Sequence, residues 1–358
     1  FSLNNRQQID TLAGFAAVDW DLSAKLTLQG AIRYTDQNHG FDGCIEDRGG
    51  GLARAFSFLS SNLTGTAVTI APGSCVTLNA ANFPAGRISR QLNENNTSWR
   101  VSLNYKPNDD VLLYANATKG YKSGSFPLVP AVSEPQLTPV VQESLMAFEA
   151  GFKAALADNV VSISGAGFYY QYKNKQIFGY VNTGFPFGNL PGLVNVPDSS
   201  VTGAELELLL RPTTALRVSL GATYIDSKVD KTFLTPDPFA NIVDIRGEAF
   251  PNTPKWQFVG DAEYGFDVAT DTRIYLGGSV RYRSSSYAAF GRNPQFVIED
   301  YALVDLRAGA EFGRFRAEIW GRNVTNQRYI TQAAHIIDTV GVFTGPPATY
   351  GLTLGYKW

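Results

Sequence analysis

The chain has 358 residues, of which 17% are charged and 13% aromatic, and 30 Lys and Arg against 32 Asp and Glu leave a net charge of −2. That balance excludes the basic stripe of a nucleic-acid binder, and no apolar stretch approaches the roughly 18 residues of a membrane helix. The opening FSLNNRQQID has neither a basic n-region nor an apolar h-region, so any export signal is expected to have been removed or to lie upstream. From there on, apolar and polar residues alternate, the period of a strand with one greasy face. Strands are predicted near 11–20, 25–36, 97–106, 111–120, 143–156, 159–172, 201–211, 214–226, 254–266, 272–283, 299–312, 315–323 and 347–358.

The parity is regular. Leu26, Leu28, Ile32 and Tyr34 oppose Lys25, Thr27, Gln29 and Arg33. Leu216, Val218, Leu220, Ala222 and Tyr224 oppose Arg217, Ser219, Gly221 and Thr223. In the last segment Tyr350, Leu352, Leu354, Tyr356 and Trp358 oppose Gly351, Thr353, Gly355 and Lys357. Most segments have the length of about 9–13 residues that a tilted strand needs to cross a bilayer. No long segment has helical spacing, so the chain reads as all-β.

The connections sort by length. DLSA, PNDD, ADN, TTA, ATDT and FGR are short and rich in turn formers. The others are long, near 37–96, 121–142, 173–200, 227–253, 284–298 and 324–346. Short turns at one end and long loops at the other are the layout of an outer-membrane barrel, with the long loops extracellular.

The polar face carries Arg100, Glu143, Glu149, Lys153, Glu205, Glu207, Arg217, Asp305 and Arg316. A dry core cannot hold such a set unpaired, whereas a wet lumen can. The apolar face then meets lipid, with Tyr and Trp at strand ends in the interfacial girdles, where Trp358 would sit. The expected architecture is one transmembrane antiparallel β-barrel unit over 1–358. Thirteen strands that begin outside do not close a barrel whose ends are both periplasmic. Either a further strand lies in residues 1–10, or the chain is the C-terminal part of a larger barrel.

Cys44 and Cys75 both fall in the 37–96 loop. Neither His39 nor His335 has the spacing to complete a zinc site with them, so no metal centre is expected. A disulfide in an oxidising compartment fits better than two unrelated thiols, and would contribute roughly 3–4 kcal/mol by closing a loop of about 30 residues. No Gly-x-Ser-x-Gly elbow, acid–base histidine arrangement or phosphate-cradling loop is present, so no enzyme activity and no cofactor are expected.

Several segments carry a family resemblance. VLLYANATKGYKSGSF (111–126) resembles the strand and loop of TonB-dependent outer-membrane receptors that end in a Gly-Tyr-Lys-Ser-Gly sequence. ESLMAFEAGFKAAL (143–156) is similar to the strand that follows, and VTGAELELLLRP, with Gly203 and Glu205, also fits. IWGRNVTNQRYI (319–330) resembles the near-terminal motif built here from Asn323, Asn326 and Tyr329. Together, in order, these matches extend the resemblance over essentially the whole chain. It implies the C-terminal thirteen or so strands of a barrel of about 22 strands around a plugged lumen. The plug and the TonB box would belong to a missing N-terminal region.

The resemblance further implies the outer membrane of a Gram-negative bacterium, lipid as a neighbour and the inner-membrane TonB complex as a partner. The implied activity is energy-coupled uptake of a small molecule, a ferric siderophore foremost. Haem, cobalamin, a carbohydrate or an aromatic compound are alternatives within the family, and a passive porin or a surface-recognition barrel are alternatives outside it. Ligand contacts are expected from Tyr121, Lys122, Phe126, Tyr180, Phe185, Phe187, Tyr287 and Phe290, aromatic and cationic residues near the loops that suit planar or anionic ligands. Tyr356 and Trp358 resemble the terminal signal read by the assembly machinery. The Gly120–Gly124 and Asn323 motifs read as structural turns rather than binding sites.

Overall fold

The alternating segments are strands, and each pairs with its neighbours in the chain. This computed structural model describes residues 1–79, 85–336 and 339–358. The expected loops 37–96 and 324–346 include 80–84 and 337–338, which lie outside the described residues. The strands in chain order are β1 (Ser2–Ser23), β2 (Leu26–Glu46), β3 (Ile88–Asn108), β4 (Val111–Lys122), β5 (Glu143–Leu156), β6 (Val161–Asn182), β7 (Asn189–Leu210) and β8 (Leu216–Val229). They continue with β9 (Leu234–Pro236), β10 (Ile242–Asp244), β11 (Trp256–Ala269), β12 (Thr272–Arg283), β13 (Ser286–Tyr287) and β14 (Val297–Ile298). The last are β15 (Tyr301–Phe312), β16 (Phe315–Arg322), β17 (Ile330–Ile336), β18 (Thr339–Thr344) and β19 (Thr349–Tyr356). Thirteen form one antiparallel sheet, ordered β1 to β8, then β11, β12, β15, β16 and β19. The other six make three two-stranded hairpins inside the long loops. The sheet is open, with β1 and β19 at its edges.

Register carries each face unbroken through the sheet, because cross-strand partners lie on the same side. One row runs Leu103, Ala115, Ala150, Gly167, Ala204, Tyr224 and Trp256. The row beside it runs Asn104, Tyr114, Gly151, Ala166, Glu205, Thr223 and Gln257, on the opposite face. The first face exposes Leu220, Leu276, Leu306, Ile319, Leu352 and Leu354. A contiguous apolar surface of that kind needs a nonaqueous neighbour. It is bordered towards the loops by Trp99, Tyr169, Tyr224, Trp256 and Tyr282, and towards the turns by Tyr105, Tyr264, Phe312, Phe315 and Tyr356. Such paired aromatic borders are the girdles of a membrane barrel. The expected facing of the strands therefore holds.

The strand ends differ from expectation. β1 begins at Ser2 rather than near 11, so residues 2–10 continue the first strand and form no separate one. β2 runs to Glu46 and β3 starts at Ile88, so much of the expected 37–96 loop is strand. Likewise β6 and β7 extend to Asn182 and from Asn189, and the expected 173–200 loop is mostly a projecting hairpin. Beyond the lipid no bilayer imposes one apolar face, and loop segments pack over Phe41, Ile45, Ile88 and Val196, so backbone pairing continues while apolar alternation lapses. The 37–96 region also holds a helix that the alternation did not predict, α1 (Gly51–Thr64).

Among the described residues, most of the buried apolar side chains gather in three clusters on the loop side. One joins Phe41, Ile88, Phe126, Val129, Ala131 and Leu137. A second packs α1 through Ala53 and Phe56 onto Ile45, Ile70, Val76 and Leu78. The third joins Val196, Val201, Val229, Ile245, Phe250 and Phe290. The Cys44–Cys75 disulfide is formed and ties the tip of β2 to the segment after α1. Asp47 holds this cap from within, its carboxylate accepting the N–H groups of Gly50 at 2.6 Å, Leu52 at 3.1 Å and Gly73 at 3.2 Å. Burial pushes the Asp47 carboxyl up, but donation from the amides of Gly73, Gly50, Ala53 and Gly49 outweighs it and holds the group below the usual carboxylate range.

Candidate functional site

The polar face of β4 to β7 concentrates tyrosine and carboxylate side chains. Tyr114, Glu149, Tyr170 and Glu205 all point to this face by register. The Tyr170 hydroxyl donates to Glu149 Oε2 at 3.5 Å, and Tyr114 is a second hydrogen-bond partner of that carboxylate. Glycine makes room for the rings. A Cβ at Gly151 would lie 2.7 Å from the Tyr114 ring, and one at Gly203 would lie 2.3 Å from the Phe168 ring. Both glycines are the direct cross-strand partners of those aromatics, so each ring lies flat along the wall.

Nearer the loops, Lys175 forms the centre of an aromatic and charged mouth. Its ammonium lies 4.0 Å from the Tyr172 ring centroid, 4.9 Å from that of Phe250 and 3.8 Å from Glu143 Oε1. The other Glu143 oxygen accepts the backbone N–H of Gln176 at 2.8 Å. Asn174, with φ 54, breaks the alternation of β6 and brings Lys175 to the same side as Tyr172. Lys122 is the cross-strand partner of Glu143, which adds a second cation at the same height. Rings flanking a cation can stack on a planar group and attract an anionic one.

The wall from β11 to β16 is different, because its charges satisfy one another. Arg307 grips Asp261 through Nη1 at 2.7 Å and Nη2 at 3.0 Å, and reaches Glu263 at 2.9 Å. Arg281 pairs with Asp305 at 2.9 Å. Arg316 donates to Glu318 at 2.8 Å and to the Tyr275 hydroxyl at 3.1 Å, and that hydroxyl donates to Glu318 at 2.7 Å. At the turn end, a concavity of about 800 Å3 is lined by Lys153, Glu207, Arg217, Val259, Asp261 and Arg281. Polar side chains therefore line the inner surface from mouth to turns.

The predicted contacts are dispersed. Lys122 belongs to the mouth just described. Phe126 is buried, stacked on Phe41 at 4.8 Å with His39 edge-on at 5.0 Å. Phe290 is buried in the third cluster, and Phe187 packs towards Phe56 of α1 at 6.2 Å. Tyr121 faces outward beside Lys119. Tyr180 and Phe185 lie at the far end of the β6–β7 hairpin, with Phe185 79% exposed, and Tyr287 is exposed in β13. Tyr356 of the turn-side girdle meets Trp358 edge to face at 5.7 Å. Sequence reading missed Tyr114, Tyr170, Tyr172, Lys175 and Phe250. The parity that sends Glu149 inward extends across the β5–β6 pairing to Tyr170 and Tyr172, and would have found those two.

Among the described residues, one set of three ligand-type side chains converges, Cys44, Glu46 and Cys75 within 4.8 Å, and the disulfide takes both of its sulfurs. Asn323 and Gly124 shape the backbone around them. Asn323 is buried, donates to the carbonyls of Gln327 at 2.9 Å and Pro346 at 3.1 Å, and accepts the Gln327 N–H at 2.9 Å. Gly124 abuts the Val140 carbonyl, where a Cβ would lie at 2.4 Å.

Comparison with known proteins agrees with this architecture. The chain is 28% identical over 163 residues to the rhizobactin receptor of Rhizobium meliloti (strain 1021), a match covering 45% of this chain and 20% of that protein. The structure is similar to the ferric yersiniabactin uptake receptor FyuA of Yersinia pestis, with a TM-score of 0.72 and 17% identity over 99% of this chain and 46% of that one. It is also similar to the ferric-catecholate import receptor Fiu of E. coli K12, with a TM-score of 0.68 and 18% identity over 98% of this chain and 45% of that one. The chain thus spans less than half the length of these relatives. The family and its structural neighbours are receptors and transporters rather than enzymes, and they are outer-membrane β-barrels of Gram-negative bacteria. The family model described as TonB dependent receptor-like, beta-barrel matches residues 1–326, and the chain belongs to that family.

Proposed function

We propose that this chain is the wall of an outer-membrane importer that takes up a ferric siderophore and is driven from the inner membrane through TonB. The observation that carries the reading is the contrast between the two faces of one sheet. The outer face is apolar between two aromatic girdles, while the inner face carries the charged and hydroxyl side chains and opens at the loop end around Lys175, Tyr172, Phe250 and Glu143. A ferric chelate is planar in parts and often anionic, which suits a cation between rings. The names of the relatives, receptors for rhizobactin, ferric yersiniabactin and ferric catecholates, support the same substrate class. Contact with TonB and occupation of the lumen would fall to a region outside this chain. Lys122, Tyr180, Phe185 and Tyr287 are proposed as further contacts made as a ligand approaches.

The test is uptake of radiolabelled iron, supplied as a panel of ferric siderophores, by iron-starved cells with and without the gene. Loss of uptake for one chelate, restored by the wild-type gene and weakened by Lys175→Ala with Tyr172→Ala, is the expected result. Unchanged uptake of every chelate in the deletion strain would refute the siderophore assignment.

A further inference from the structure

The outer face is free of charge between the girdles, and just above them most of its cations are matched. Lys255 pairs with Asp226 at 2.7 Å, Lys228 with Asp230 at 3.7 Å, and Lys231 with Asp198. Two lysines depart from this pattern. Lys119 lies in the outer-face row Trp99, Lys119, Met146 and Gln171, and Lys173 lies in the next row, Tyr121, Ser144 and Lys173. Among the described residues neither makes an ion pair, and the charge that acts on Lys119 is the like charge of Lys173. Asp198 stands opposite Lys173 across the β6–β7 pairing, but its carboxylate is engaged by Lys231.

Lys119 is not a freely waving surface group. Its ammonium donates to Ser144 Oγ at 3.1 Å and lies 5.3 Å from the centroid of the Tyr121 ring. Ser144 sits between the two lysines, as the cross-strand partner of Lys173 and of Tyr121. Immediately towards the turns, the same face becomes wholly apolar, with Ala117, Phe148 and Tyr169 in one row and Ala115, Ala150 and Gly167 in the next. Two unmatched cations and a hydroxyl therefore border an apolar surface at the level of the aromatic girdle. Holding like charges together where water thins is unfavourable unless an anion joins them.

We infer that Lys119, Ser144 and Lys173 form a seat for the phosphate of an outer-leaflet lipid, whose acyl chains lie over Phe148 and Tyr169. The inference rests on the outer-membrane placement proposed above. A phosphate offers several acceptor oxygens, enough to take both ammonium groups at once. The depth of the site selects the source. A free phosphate ion gains nothing from the apolar surface below, whereas a lipid uses both parts.

The experiment begins with the protein extracted from outer membranes in mild detergent, and measures the phosphate-bearing lipid retained per chain by mass spectrometry. Lys119→Gln and Lys173→Gln are each expected to reduce retention about fivefold, the contribution of one cation near an anionic surface. Lys119→Arg should restore retention, while Lys228→Gln, at a cation already paired, should leave it at the wild-type level. Heat-modifiable gel migration shows that each variant is folded. Unchanged retention in the double variant, with wild-type protein recovered from the outer membrane, overturns the lipid site alone. Displacement of the lipid by millimolar inorganic phosphate, with phosphate still bound in lipid-free detergent, overturns the lipid source in favour of a free anion. Absence of the wild-type protein from the outer-membrane fraction overturns the placement together with the site.

Discussion

Glu94 holds Gly124 by its backbone N–H at 2.7 Å, and with its other carboxylate oxygen takes the N–H of Gln142 at 2.6 Å. One side chain on β3 thus clamps both ends of the loop between β4 and β5. Glu94→Ala leaves two backbone donors without their acceptor, a loss of about 1–3 kcal/mol for each donor that stays buried. Amide hydrogen exchange across 123–142 should accelerate in that variant and remain slow elsewhere. Gly124→Ala should loosen the same loop by a different route, since its Cβ would meet the Val140 carbonyl at 2.4 Å and Leu92 Cδ2 at 2.5 Å. Equal protection in wild type and both variants would show that the clamp is dispensable.

Leu220 and Ser219 are neighbours in β8 that face opposite ways. Leu220 pairs with Gly260 on the apolar face, and Ser219 pairs with Asp261 on the polar one. Leu220→Arg should cost about 2–4 kcal/mol near the middle of the bilayer. Ser219→Arg should be mild, because that side is wet and Asp261 is adjacent. Equilibrium unfolding in lipid vesicles measures both, and equal costs would reverse the facing assignment.

Asn323 closes the turn after β16 from a left-handed backbone, with φ 49. Asn323→Gly keeps that conformation available and removes only the amide, which makes three hydrogen bonds. Destabilisation of about 2–3 kcal/mol is expected from the groups left unpaired. Asn323→Ala should cost more, because it adds backbone strain. Denaturant midpoints of the two variants check the order, and an unaffected Asn323→Gly protein would reduce the motif to a backbone requirement.

The cap over β2 should be sensitive to acid. The Asp47 carboxyl is held below its unfolded value by amide donors, so its stabilising contribution is present above the unfolded carboxylate range. It is lost as pH falls through the still lower folded value. Hydrogen exchange of the α1 amides should therefore rise as pH drops below the ordinary carboxylate range, after correction for intrinsic exchange. Asp47→Asn should show raised exchange at neutral pH and little further dependence. A wild-type cap as tight at low pH as at neutral pH would discount the carboxylate.

How much was legible follows from where lipid touches the chain. Along β8 a bilayer on one side and water on the other force alternation, so residue order alone assigns Leu220 and Ser219 to opposite faces. The disulfide was legible for a similar reason, since two cysteines in one polar stretch leave few partners. From Gln37 to Glu46, and from Ile88 to Asn96, no such contrast exists, and Phe41, Ile45 and Ile88 are buried instead by loop segments that follow no fixed period. α1 was hidden because its buried Ala53, Phe56 and Ser60 sit among Ser and Gly, with no acidic residue in its first turn and no basic residue in its last to announce it. The mouth was read incompletely because Phe250 reaches it from a distant loop, and because the left-handed Asn174 turns Lys175 to a side that simple parity denies it.

The covalent link between Cys44 and Cys75 encloses α1 and the exposed Arg48 and Arg54. A trypsin-like protease cutting at either arginine would open the chain without releasing a fragment. The severed ends would remain attached to the same barrel, and the damage would be invisible on a gel until a reductant was added. Surface shaving of cells carrying this protein will therefore undercount cleavage unless the samples are reduced, and an epitope on the cap can outlast the continuity of its backbone.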